Sequence, residues 1–125
     1  MLEPQLQAMR HIKTPTHWVG VGGTMTAAAT CVQGIEWHSQ DRVHGFTATR
    51  RDVRRVMEAM AELPLDQRKA LGTVPQDRAD IVVHGFAILL ACMEMLEIEA
   101  IKISEHTNLD GYLLWITAGE SESAV

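Results

Sequence analysis

Apolar residues recur at helical spacing along most of this chain, and at strand spacing over only two short stretches. The helical signal is clearest after Thr49, which forms a capping-box-like start with Asp52. Behind it Val53, Val56, Met57, Met60 and Leu63 share one face, and Pro64 ends the helix. A second helical pattern, Arg78 to Glu97, is the longest, with Asp77 placed to cap it. Its apolar residues Ile81, Val82, Ile88, Leu89, Cys92, Met93 and Leu96 spread around most of the circumference, which predicts a central, largely buried helix.

Shorter helices are expected at 2–12 (Pro4 in the first turn, Leu6 and Met9 on one side, Thr14-Pro15-Thr16 as the break) and at 24–32, closed by Gly34. A helical turn at 65–71 stops at Gly72, and a last helix at 109–117 carries Leu113, Leu114 and Ile116. The strands are 17–21 and 100–104, the latter with Ile101 and Ile103 on one side and Lys102 on the other. Residues 36–45, with His38 and His44, read as a polar loop. Two strands against about five helices predict a helix-rich α/β fold whose sheet is part of a larger one, the alternative being a self-sufficient, mostly helical domain. Residues 1–118 form the domain, and 119–125 are expected to be an acidic, disordered tail.

Where the first strand meets the next helix the sequence is Gly20-Val21-Gly22-Gly23-Thr24. Glycines at a strand-to-helix turn let the backbone approach a ligand, and the helix N-terminus behind them favours an anion. The same glycines would also let strand and helix pack tightly, and both readings stand on the residues alone. A dinucleotide fingerprint is disfavoured, because GxGxxG requires glycine where Met25 stands.

Composition narrows the class of partner. The 125 residues carry a net charge of −5, which argues against nucleic-acid backbone binding. The basic group Arg50, Arg51, Arg54 and Arg55 alternates with Asp52 and Glu58, as a solvated helix face does. Cys31 and Cys92 lie far apart in apolar helical contexts, the pattern of buried free thiols in a reducing cytoplasm. No stretch is long enough to cross a bilayer and no signal peptide is evident, so a cytoplasmic location is expected. No cysteine or histidine pair has zinc-ligand spacing.

Four segments in order resemble the second half of the exopolyphosphatase and guanosine pentaphosphate phosphohydrolase (Ppx/GppA) family. They are Gly20-Val21-Gly22-Gly23-Thr24; Val43-His44-Gly45; Gly72-Thr73-Val74-Pro75 leading into Arg78-Ala79-Asp80-Ile81; and Gly85 through Ile88-Leu89, followed by Ile103-Ser104. The match runs from about Trp18 to Leu114. The resemblance implies a ribonuclease-H-like domain of the sugar kinase/Hsp70/actin type and hydrolysis of phosphoanhydrides, with Mg²⁺ as the intact enzyme's cofactor. The family's catalytic carboxylate and phosphate loops belong to segments not found here. One family motif, of the form S-D-x-G-L-R-x-G, is altered to Ser104-Glu105-His106-Thr107-Asn108-Leu109-Asp110-Gly111. The arginine is lost and Asp110 brings the opposite charge.

The resemblance places phosphate or nucleotide contacts at Gly20, Gly22, Gly23 and Thr24, and cleft contacts at His44, Arg78 and Ser104. Read alone, His44 is turn chemistry, and Arg78 with Asp80 is a helix-start arrangement with the acid capping and the arginine on backbone carbonyls or a phosphate. His84 is expected to be a core histidine, Gly85 a close helix–strand crossing, and Met57, Met60, Met93 and Met95 core packing. The chain is therefore expected to form the cleft wall of a phosphohydrolase acting on polyphosphate or a guanine nucleotide, inactive alone. It would pair as a homodimer or with an N-terminal half. The alternative is a non-catalytic binding or assembly module that pairs through exposed strand edges.

Overall fold

The computed structural model describes residues 3–9 and 17–123; the Thr14-Pro15-Thr16 break lies outside them. The order of elements is α1 (Glu3–Met9), β1 (Val19–Gly20), α2 (Gly23–Gln33), β2 (Thr47–Thr49), α3 (Arg50–Glu62), α4 (Leu65–Ala70), α5 (Val82–Met95), β3 (Ala100–Ile103) and α6 (Asn108–Ser123). Single 3₁₀ turns lie at Gln40–Arg42 and Gln76–Arg78.

The expected two strands fall one short. The described residues form a three-stranded mixed sheet in the order β1-β3-β2. β3 runs parallel to β1, with Val19 opposite Lys102, and antiparallel to β2, with Ala48 opposite Ile101. Ile101 and Ile103 are buried while Lys102 faces solvent, the alternation the sequence carries. Phe46 and Gly45 extend the second ladder: Ile103 N–H donates to the Phe46 carbonyl (2.8 Å), and Gly45 N–H to the Ile103 carbonyl (2.8 Å).

Helices α2 and α3 pack on the sheet and α5 packs against both. Phe86, Met93 and Ile103 are fully buried at the centre, with Val43, Val53 and Val74 around them. On α3, Val53, Val56 and Met60 form the inward stripe, and Thr49 and Asp52 make a complete capping box. Helix α2 ends at Gly34 (φ 67°), whose N–H donates to the Cys31 carbonyl at 3.2 Å. Arg50 pairs with Glu99 at 2.6 Å and Arg54 with Glu94, so the basic face of α3 crosses to neighbouring elements as well as meeting solvent.

Three expectations need correcting. Helix α5 begins at Val82, and Asp77 does not cap it; Asp77 lies in the 3₁₀ turn, and Ala79 is pulled into the core between the two. The helix buries Val82, Phe86, Leu89, Leu90 and Met93, yet Ile88 is 53% exposed and Ile81, at its N-cap, 56%, so it is central on one side only. Helix α6 runs past Thr117 to Ser123 and leaves Leu114 and Trp115 each 72% exposed.

Candidate functional site

The chain leaves β1 at Gly20 and enters α2 through Gly22, the N-cap, at φ 105° and ψ 176°. That region of backbone space is essentially closed to residues with a Cβ. Open space surrounds Gly22, so conformation, not crowding, reserves the position for glycine. No side chain caps the helix and its first turn holds no acid. The Gly22 carbonyl accepts from Thr26 N–H (3.1 Å) and the Thr26 hydroxyl (3.2 Å). The N–H groups of Gly23, Thr24 and Met25 precede the first intrahelical bond, which leaves them aimed outward at the positive end of the helix dipole.

Arg78 comes to the same place from the Gln76–Arg78 turn. A Cβ on Gly23 would fall on the Arg78 guanidinium, so only glycine lets the cation lie against the backbone there. A cation is the wrong sign for a helix N-terminus. Arginine, uncapped N–H groups and dipole together make a concentrated positive pole suited to an anion.

The turn carrying Arg78 is tied down from several sides. The Thr30 hydroxyl, fully buried, donates to the Thr73 carbonyl at 2.6 Å, and Trp37 N–H donates to the Gly72 carbonyl at 2.9 Å. The Cys31 thiol donates to the Thr73 hydroxyl (3.5 Å), and its burial raises its pKa above the ordinary thiol value, an effect that hydrogen bonding with Thr73 and Thr30 only partly opposes. Between α2, this turn and α5 lies a cleft of about 650 Å³. Gly23, Thr24, Thr26, Asp77, Arg78 and His84 supply its polar lining; Trp37, Val74, Pro75, Ile81 and Ile88 supply the apolar part.

His44 and Ser104 form a second group, outside the cleft lining. Ser104 N–H donates to the Gly20 carbonyl at 2.9 Å, and the Ser104 hydroxyl accepts from His106 N–H at 3.2 Å. His44 Nδ1 accepts from Glu105 N–H at 3.2 Å, and its ring meets that of His106 edge-on, centroids 4.8 Å apart. Because β1 and β3 end where β2 begins, Gly20, Ser104 and His44 share the C-terminal edge of the parallel pair, the side on which open α/β sheets bind ligands. Asp110 accepts from Thr107 N–H (2.7 Å) and the Thr107 hydroxyl (3.2 Å). These bonds, the backbone one foremost, hold its carboxyl below the usual range.

The structure thus brings Gly22, Gly23, Thr24 and Arg78 together, and joins Gly20 to Ser104 and His44 at the neighbouring strand ends. Other readings change. His84 is exposed and lines the cleft, because α5 turns that face outward. Asp80 is exposed and makes no cap. Gly85 admits a helix rather than a strand: a Cβ there would sit 2.8 Å from the Thr24 hydroxyl of α2. Trp37, Thr26 and Asp77 are cleft residues that the sequence reading did not place there. Trp37 sits in a loop that gave no periodic signal, and Thr26 follows from Thr24 only once the helix is drawn. As for Mg²⁺, Asp77 is the one carboxylate among the described residues lining the cleft, and no three His, Cys, Asp or Glu residues cluster among those described. These residues do not by themselves fit a divalent cation's oxygen ligand set.

Among the described residues, no helix is long and apolar enough to cross a membrane. The chain is 27% identical over 117 residues to exopolyphosphatase 2 of Mycobacterium tuberculosis, covering 90% of this chain and 36% of that protein. A crystal structure of the Aquifex aeolicus Ppx/GppA family member superposes with a TM-score of 0.84 at 25% identity, over 95% of this chain and 39% of that one. An exopolyphosphatase from Cytophaga hutchinsonii shares the fold, with a TM-score of 0.73 at 21% identity over 94% of this chain and 38% of that one. The chain therefore spans little more than a third of the length of these relatives. Their fold is the actin-like, ribonuclease-H-like one, and the three-stranded mixed sheet with its helices is a helix-rich part of it. The family model of the Ppx/GppA phosphatases matches residues 1–117, and the chain belongs to that family.

Proposed function

We propose that this chain forms the phosphate-facing wall of a Ppx/GppA-type phosphohydrolase, and that its ligand is the terminal phosphate region of a polyphosphate. The N–H groups of Gly23 and Thr24, freed by the Gly22 turn, would hold phosphate oxygens while the Arg78 guanidinium neutralises their charge. The relative from Mycobacterium tuberculosis is named an exopolyphosphatase, which favours polyphosphate over a guanine nucleotide. Gly20, Ser104 and His44 would flank the chain of phosphates at the strand ends. One observation carries the reading: the guanidinium of Arg78 lies against Gly23 at a helix start with neither cap nor acid.

Hydrolysis needs an activated water and neutralisation of the phosphate charge beyond what these residues supply. The chain alone binds and does not hydrolyse. Calorimetric titration of the 125-residue chain with inorganic polyphosphate tests the reading. Binding that weakens about tenfold in Arg78→Gln is expected, the size of one charge-assisted contact. Absence of binding, or equal binding by both proteins, would overturn it. Phosphate release above a Gly22→Val control would refute the claim of inactivity.

A further inference from the structure

A half-buried arginine stands behind the one that faces the cleft. Arg68, on the short helix α4, donates from Nη1 to the Ala79 carbonyl at 3.2 Å and from Nη2 to the Leu63 carbonyl at 3.0 Å. Its Nε is buried and meets no acceptor. A guanidinium with one desolvated, unmatched donor is costly to keep if two carbonyl contacts are all it provides. Leu63 closes α3, a helix fixed to the core by Val53, Val56 and Met60. Ala79, fully buried, directly follows Arg78. The Arg78 N–H bonds back to the Pro75 carbonyl (3.0 Å), and the Arg78 carbonyl accepts from Ile81 N–H (3.1 Å). Arg68 therefore clamps the last peptide of the Arg78 turn to the end of α3.

We infer that Arg68 is a positioning residue for the anion site: it fixes the Gln76–Arg78 turn so that the Arg78 guanidinium stays against Gly23 at the open start of α2. The inference rests on the proposed role of Arg78. The fork geometry matters because the two acceptors belong to different elements, and a guanidinium reaches both from one rigid plane while an ammonium presents a single point. Thr30 and Trp37 hold the other end of the same segment through the Thr73 and Gly72 carbonyls. The stretch from Gly72 to Ala79 is thus pinned at both ends, with Arg78 next to the Arg68 anchor.

The test is a double-mutant cycle on the full chain, read as affinity for inorganic polyphosphate well below the unfolding temperature. Arg68→Met keeps the apolar stem and removes both hydrogen bonds. It is expected to weaken binding about fivefold. In an Arg78→Gln background the same change should weaken binding no further, because the residue it positions is gone. Arg68→Lys should recover only part of the loss, and it serves in the cycle if Arg68→Met does not fold. A merely structural arginine would lower stability without this non-additivity. Equal losses in both backgrounds would overturn the inference, as would an intact affinity in Arg68→Met beside a weakened Arg78→Gln. An Arg78→Gln protein that binds as well as the unsubstituted chain would sink the reading of the site first, and this inference with it.

Discussion

Helices α2 and α3 both leave the end of a short strand, and the two starts are built in opposite ways. At α3, Thr49 accepts from Asp52 N–H at 3.0 Å while Asp52 accepts from Thr49 N–H at 3.1 Å, so two donors are matched and an acid complements the dipole. At α2, Gly22 offers no side-chain oxygen, no acid stands in the first turn, and Arg78 adds positive charge. The first arrangement stabilises the helix from within the chain. The second leaves unmet donors and unbalanced charge at the mouth of a cleft, a local cost that a bound anion would relieve.

The sharpest way to break the contrast is to substitute Gly22. Gly22→Val must leave its φ of 105° or bear the strain, and we expect a loss of about 2–3 kcal/mol in denaturant unfolding. A loss within experimental error would mean that the turn readily adopts another path. Gly23→Ala acts differently. Its Cβ displaces only the flexible end of Arg78, so folding should be unchanged or slightly improved while polyphosphate affinity drops about tenfold. If stability and affinity fall together, the two functions of the turn are not separable. Thr49→Ala, at the capped start, should cost about 1 kcal/mol of stability and leave polyphosphate binding untouched.

The smallest effect concerns α6. The Asp110 carboxyl is held below its ordinary value of 3.8 by Thr107, so the ionised form stabilises the fold. That contribution is present above pH 3.8 and is lost as the pH falls through the lowered value. Circular dichroism of Asp110→Asn should show less helix at neutral pH and a weaker acid transition; identical acid titrations would remove Thr107–Asp110 as a helix start.

The contrast between the helix starts is legible in the sequence, since Thr49-x-x-Asp52 and the Gly20–Thr24 turn are each contiguous. Local chemistry also marked Pro64, Gly34 and the alternation at Ile101 and Ile103. What stayed hidden depended on distant partners. Strand β2 has three residues with one buried, too few to show a period, and exists because β3 offers an edge. The late start of α5 follows from burial of Ala79, which no capping rule announces. His84 fell on the outward face because Phe86, Leu89 and Leu90 took the core side. Arg68 carried no signal at all: its acceptors lie at residues 63 and 79, and only folding makes them neighbours.

Amide chemical shifts recorded while inorganic polyphosphate is added to the 125-residue chain test the central claim most directly, because both helix starts are observed in one titration. The account predicts large, saturable shifts at Gly23, Thr24 and Met25 and none beyond the general salt response at Arg50, Arg51 and Asp52. Equal shifts at the two starts, or shifts confined to the arginines of α3, would contradict it.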